Sequence, residues 1–218
     1  MFGAVSEHKI LPFRVLTIPS ALASSKPGPN APLRDACGNS TQPDANAVSA
    51  VKAWTASQFP VEKLVLGLPS YGYMSTSTAS RLRTRAKGKQ KKVKSHSPGT
   101  LKVENEEGAS NGQVQFNDLV RQGALIRSVT SETNSHNTTT SFIAGGGFER
   151  RWDSCSETPF LRSAAARQVI TYDDLESLEL KTVFAREVGM LGVNIFDVHG
   201  DTENWDLTDY IRRGLGLV

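Results

Sequence analysis

Two short, largely apolar runs constrain this chain most: KLVLGLP at residues 63–69, continuous rather than alternating in apolarity, and LGVNIFDV at 191–198. A strand covered on one face alternates apolar and polar residues, whereas a strand covered on both has no reason to. Both runs therefore predict strands of a parallel sheet, buried on each side. Helical segments flank them. ANAVSAVKAWTASQF (45–59) has Asp44 or Asn46 as a cap candidate and Val48, Val51, Trp54 and Phe59 on or near one face, and Pro60 stops it. LESLELKTVFAREVGM (175–190) has apolar Leu175, Leu178, Val183 and Val188, with Asp173 or Asp174 as its cap candidate. A closing helix starts near Asp206. This repeating helix and strand order predicts an α/β fold with parallel strands. Trp54 and Trp205, both assigned to helices, are expected in the core.

Between the two apolar runs the texture changes. From Met74 to about Arg167, Ser, Thr, Lys and Gly dominate, which predicts an insertion too long and too polar for a turn. Within it are one helical patch, QVQFNDLVRQGAL (113–125), and an aromatic-containing stretch, GGGFERRWDSCSETPFL (145–161). Residues 20–43 are rich in Pro, Ser, Ala, Gly and Asn and predict an extended loop.

Composition sets outer bounds. With 218 residues and 38% hydrophobic content, the chain can build a core of ordinary size if its regular segments cluster. No stretch of about 18 apolar residues exists to form a transmembrane helix. The N-terminus lacks the basic-then-apolar layout of a secretory signal, so the chain is not expected to enter the secretory pathway by that segment. The net charge of +3 has a local source: RLRTRAKGKQKKVK, residues 81–94, contains eight cations and no acid. It reads as a solvated loop rather than a nucleic-acid site, because no aromatics interleave to stack on bases. Cys37 and Cys155 fit no metal spacing and are either buried thiols or one long-range disulfide. The sequons at Asn39 and Asn137 lean towards the oxidising option.

KLVLGLPSYGY, QVITYDDLESLELKTVFAREVGMLGVNIFDVHGD, the insertion's GQVQFNDLVRQGAL and WDSCSETPFL, and the loop KPGPNAPLRDACGNSTQP together resemble glycoside hydrolase family 18 chitinases of the fungal type, over roughly residues 25–218. The resemblance implies an α/β fold: an incomplete (β/α)8 TIM barrel, last strands and helices only, with an inserted α+β subdomain. Residues 25–73 and 168–218 would be the barrel part, 74–167 the insertion, and 1–24 a divergent N-terminal segment. It also implies chitin or N-acetylglucosamine oligomers as partner, an extracellular location, and neither cofactor, metal nor membrane. The basic run 81–94 does not change this, and nucleic acid is not expected as a partner.

In that family a glutamic acid ending an Asp-x-x-Asp-x-Asp-x-Glu motif protonates the glycosidic oxygen, while the substrate's acetamide attacks the anomeric carbon. No segment here fits. DVHGDTE, with Asp197, Asp201 and Glu203, has the wrong spacing and is rejected as the catalytic constellation. The Met-x-Tyr-Asp expected before PGPNAPL is absent too. No catalytic residue is assigned, and the isolated chain is expected to be inactive; the alternatives are a non-catalytic carbohydrate-binding protein and an inactive fragment.

The candidate substrate-binding residues are Tyr71, Tyr73, Phe196, Trp152 and Asp197. Tyr71 reads either as a sugar-stacking ring or as barrel-rim packing, and Tyr73 first as packing. Phe196 stands where the family commonly has a tryptophan under the sugar, and it keeps an apolar platform without the indole N–H. Trp152 reads first as the anchor of a small core, and Asp197 and His199 as loop hydrogen-bonding groups that could also meet sugar hydroxyls. Tyr172-Asp173-Asp174 reads as a packing tyrosine followed by a helix cap.

Overall fold

The computed structural model describes residues 27–82, 101–104, 112–131 and 138–218. The basic run beyond Leu82 and the sequon at Asn137 lie outside the described residues. Helix α1 (Ala47–Ala56) starts where the Asn46 side chain accepts from the Ser49 N–H at 2.9 Å, and ends before Pro60. Strand β1 (Val65–Pro69) follows and pairs in parallel with β9 (Gly192–Phe196), Val65 opposite Gly192 and Pro69 opposite Phe196. The parallel pairing matches the sequence expectation. Burial on both faces does not: Leu66 and Leu68 of β1 are buried, but Asn194 and Phe196 of β9 are exposed. These two strands form a sheet by themselves among the described residues.

At Ser70 the chain leaves the parallel pair, and β2 (Tyr71–Thr76) enters a five-stranded antiparallel sheet. Its other members are β3 (Gln113–Gln115), β6 (Glu149–Asp153), β7 (Thr158–Ser163) and β8 (Gln168–Thr171), in the order β3-β2-β8-β7-β6. Gly72 is required where β2 crosses the end of β8, since a Cβ there would lie 2.3 Å from the Thr171 carbonyl oxygen. A separate hairpin joins β4 (Leu125–Ser131) to β5 (Thr138–Ala144), after the short helix α2 (Phe116–Arg121). Thus QVQFNDLVRQGAL, expected to be one helical patch, is a strand, a six-residue helix and the start of another strand. The chain closes with α3 (Leu175–Glu187) and α4 (Asp206–Gly214). No helix among the described residues is long and apolar enough to cross a membrane.

One core runs through all these parts. Leu66 and Leu68 of β1, Phe116 and Leu119 of α2, Leu125 of β4, Ile170 of β8, Leu178 of α3 and Leu207 of α4 belong to a single buried cluster. Arg127 of β4 adds a polar tie, its guanidinium donating to both carboxylate oxygens of buried Asp206 at 2.8–3.1 Å. Trp54 and Trp205, expected in the core, are 39% and 53% exposed. Trp54 instead packs edge-on against Phe59, ring centroids 5.3 Å apart, and Trp205 sits at the entrance to α4 in the left-handed region, φ +58°.

The cysteine alternatives resolve to a disulfide. Cys37 and Cys155 are bonded, their Cα atoms 5.1 Å apart across a sequence separation of 118 residues. The bond fastens the 27–46 loop to the turn between β6 and β7. Beside it, Leu33 N–H donates to Ser156 O at 2.9 Å and Ala36 N–H to Cys155 O at 2.8 Å.

Candidate functional site

Parallel strands share a direction, so β1 and β9 deliver Pro69 and Phe196 to the same end of their sheet. Ser70 ties the two ends together. Its N–H donates to the Phe196 carbonyl at 3.0 Å, its hydroxyl donates to the Asp197 carbonyl, and its own carbonyl accepts from Phe116 N–H at 2.9 Å. The loop after β9 closes over this knot so tightly that a Cβ on Gly200 would lie 2.3 Å from Ser70.

Around the knot stand the aromatic rings. Tyr71 and Phe196 meet edge to face with centroids 6.3 Å apart, and Tyr71 meets Tyr73 in the same way at 5.8 Å. The two tyrosines are buried, at 8% and 9% exposure, whereas Phe196 is 58% exposed. Tyr71 and Tyr73 therefore form the packed foundation of the rim, and Phe196 is the ring that presents area to solvent. Asp197 lies on the same loop, with Oδ1 3.7 Å from His199 Nδ1. Asp197 Oδ1 and Gln115 Oε1, the latter on the residue paired with Tyr71 across β2 and β3, are enclosed without a hydrogen-bond partner among the described residues.

A buried polar network, which the sequence did not reveal, fixes this rim from behind. Asn30 Nδ2 donates to the Tyr71 carbonyl at 2.9 Å and to Asp173 Oδ2 at 3.2 Å. Asp173 also accepts from Ser177 Oγ at 2.8 Å and pairs with the ammonium of Lys181, and both charged residues are buried. Asp174, next along, is the cap of α3: it accepts from Ser177 N–H while Ser177 Oγ accepts from Asp174 N–H, a reciprocal box. Burial raises the Asp174 carboxyl above its ordinary value, opposed by Arg150 at 2.8 Å. The buried Tyr172 ring stacks near Phe116, so the Tyr-Asp-Asp reading holds for both the packing ring and the cap.

Trp152 is not at the rim. It lies on β6, separated from β2 by β7 and β8, with Arg150 5.5 Å from its ring centroid. It lines a different surface groove, together with Arg81, Leu82, Arg151 and Cys155. The residues of DVHGDTE are placed as well. Asp201 is buried and spends its carboxylate on the start of α4, accepting from Leu207 N–H at 2.9 Å and Thr208 N–H at 3.0 Å. Glu203 is exposed. This stretch is a structural cap and loop, which agrees with rejecting it as a catalytic constellation.

Burial pushes the Tyr172 phenol well above its ordinary value, and the Tyr73 phenol upward too, the latter partly offset by a hydrogen bond from Tyr71. A group whose value is raised by folding contributes stability that is complete below its unfolded value, about pH 10 for tyrosine, and lost as pH rises through the folded value. Alkaline titration should therefore show Tyr172 ionising only as the fold opens, with Tyr73 displaced upward from the ordinary tyrosine range. Simultaneous phenolate absorbance and circular dichroism test this, and full ionisation of all 4 tyrosines near pH 10 with the fold intact would contradict it.

Comparison with known proteins agrees with this geometry. The family model described as glycosyl hydrolases family 18 matches residues 15–201, and the chain belongs to that family. The match begins inside the segment 1–24 that the sequence reading set apart. A chitinase-like effector of Moniliophthora roreri is 29% identical over 207 residues, covering 87% of this chain and 46% of the relative. The structure of a Rhizomucor miehei chitinase superimposes with a TM-score of 0.59 at 24% identity, covering 86% of this chain and 48% of the other. Human YKL-39, described as a pseudo-chitinase with retained chitooligosaccharide binding, has a TM-score of 0.59 at 20% identity, covering 87% and 45%. These two share the fold. The chain thus spans about half the length of the relatives it matches.

Proposed function

We propose that this chain binds N-acetylglucosamine oligomers of chitin at the Tyr71–Phe196 rim without hydrolysing them. The observation that carries the reading is the exposed Phe196 ring, held against buried Tyr71 at the shared end of β1 and β9. An apolar ring of this kind is a platform for a pyranose face. Tyr73 serves as packing, and Trp152 is outside the rim. Architecturally, residues 25–73 and 168–218 are read as the C-terminal part of a (β/α)8 barrel and 74–167 as an inserted α+β subdomain. Support comes from the parallel pair with its antiparallel sheet and from the half-length match to relatives. The Cys37–Cys155 disulfide supports an extracellular location.

Two measurements test the reading on the whole chain. A fluorescence titration with the N-acetylglucosamine tetramer should show saturable binding that Phe196→Ala weakens about fivefold or more, because a stacked ring face contributes about 1 kcal/mol. Since Phe196 is largely exposed, the variant should keep its melting temperature. Unchanged affinity in folded Phe196→Ala protein would remove the site. In the second measurement, a fluorogenic chitobioside should release no product above a buffer blank. Turnover abolished by Glu203→Gln would instead restore DVHGDTE as a catalytic site.

A further inference from the structure

We infer that Asn39 is an N-glycosylation site and that its first N-acetylglucosamine seats in the groove floored by Trp152. The inference rests on the reading of the chain as extracellular. Asn39-Ser40-Thr41 is an acceptor sequon, and Asn39 is exposed. Its loop is held in a defined turn: Gly38 has φ +61°, Ser40 N–H donates to Asp35 Oδ2 at 3.1 Å, and Gln42 N–H donates to Ser40 Oγ at 3.0 Å. The disulfide partner Cys37 lies two residues before the asparagine, so the compartment that forms this bond is also one in which the sequon can be read.

The groove is the second, independent observation. Asn39 itself lines a surface concavity of about 550 Å³, together with Arg81, Leu82, Arg151 and Trp152. That volume falls within the roughly 300–1,000 Å³ of small-ligand sites. The mixture of one indole, an apolar leucine and two guanidiniums suits a single amino sugar, which has an apolar face and a hydroxylated edge. A sugar joined to Asn39 is delivered to this groove by its own linkage, which removes most of the entropic cost that a free sugar would meet there.

The transfer balances simply. Asn39 Nδ2 forms a bond to C1 of the first sugar of a polyprenyl-diphosphate-linked oligosaccharide. The bond between C1 and the diphosphate oxygen breaks, the polyprenyl diphosphate leaves with the electron pair, and the amide gives up one proton.

The test is to express the whole chain behind a cleavable secretion leader in yeast and recover it from the medium or, if retained, from the endoplasmic membrane fraction. Peptide mass spectrometry should find an N-acetylglucosamine-based glycan on Asn39, lost in Thr41→Ala. A bare Asn39 in translocated protein overturns the inference. Enzymatic removal of the glycan from folded protein should change tryptophan fluorescence, and Trp152→Phe should abolish that change. No change in the wild-type protein would overturn the seating. Oligomer binding at Phe196 is read separately and does not depend on either result.

Discussion

Replacing Cys37 and Cys155 together by serine is expected to lower unfolding stability by about 4.7 kcal/mol, the chain-entropy value for a closed loop of on the order of 100 residues. The bond spans 118 residues, so its loss frees a long closed loop, from before α1 to just after β6, in the unfolded ensemble. Contacts that also cross that junction include two backbone hydrogen bonds, from Leu33 and Ala36, and the Arg34–Glu157 pair at 2.9 Å. Arg34 is 46% exposed, so this pair contributes at most about 1 kcal/mol. Against a typical domain stability of about 5–15 kcal/mol, the disulfide is a large fraction. Urea midpoints of the oxidised protein and the double variant measure the loss, and coincident midpoints would show that the bond contributes nothing. The same loop carries Asn30, which donates to the Tyr71 carbonyl. Affinity for the N-acetylglucosamine tetramer should therefore fall in whatever fraction of the variant stays folded.

The features legible in the sequence are those fixed by local rules. Two largely apolar runs predict parallel strands, and strands that share a direction bring Tyr71 and Phe196 to one rim, where the rings stand 6.3 Å apart. The cap at Asp174 followed from its position just before an apolar helix. The antiparallel strands show no alternation in the sequence, for opposite reasons: β7 and β8 are buried along nearly their whole length, while the β4–β5 hairpin is mostly exposed or half-buried. In LIRSVTS, Ile126 and Val129 are exposed and Leu125 is buried, so the alternation that marks a half-buried strand never develops. Trp54 is exposed because periodicity shows which face of a helix is apolar, not whether another layer covers it, and Trp205 because it stands just before α4 rather than on it. Trp152 follows a different rule. Its sequence neighbours gave no hint that β7 and β8 would separate it from Tyr71, because strand order is a property of the whole sheet. Least visible of all was Lys181, which reads as a surface cation in LELKTV but pairs with a carboxylate eight residues earlier, just before the helix cap.

Lys181→Met should destabilise the protein by about 3–5 kcal/mol, the usual cost of removing one partner from a buried ion pair. Methionine fills much of the same volume, so the loss does not come from a cavity. It comes from Asp173, left as a charge with 1% exposure and only the donors Ser177 and Asn30 to stabilise it. Adding Asp173→Asn to Lys181→Met removes that charge, and the double variant should recover much of the stability, since a neutral buried pair does not bear the ionic desolvation cost. Thermal unfolding of the wild type, the single variants and the double variant closes this cycle. A Lys181→Met cost under about 1 kcal/mol, the range of exposed pairs, would show that the ammonium does not hold the carboxylate. The functional consequence separates the variants further. Asn30 bridges Asp173 and the Tyr71 carbonyl, so the ion pair holds the backbone beneath the aromatic rim in place. Asparagine at position 173 keeps a side-chain oxygen for Asn30 to donate to, so the double variant should retain oligomer affinity. Asp173→Ala with Lys181→Met removes that acceptor and should weaken binding even where the fold survives.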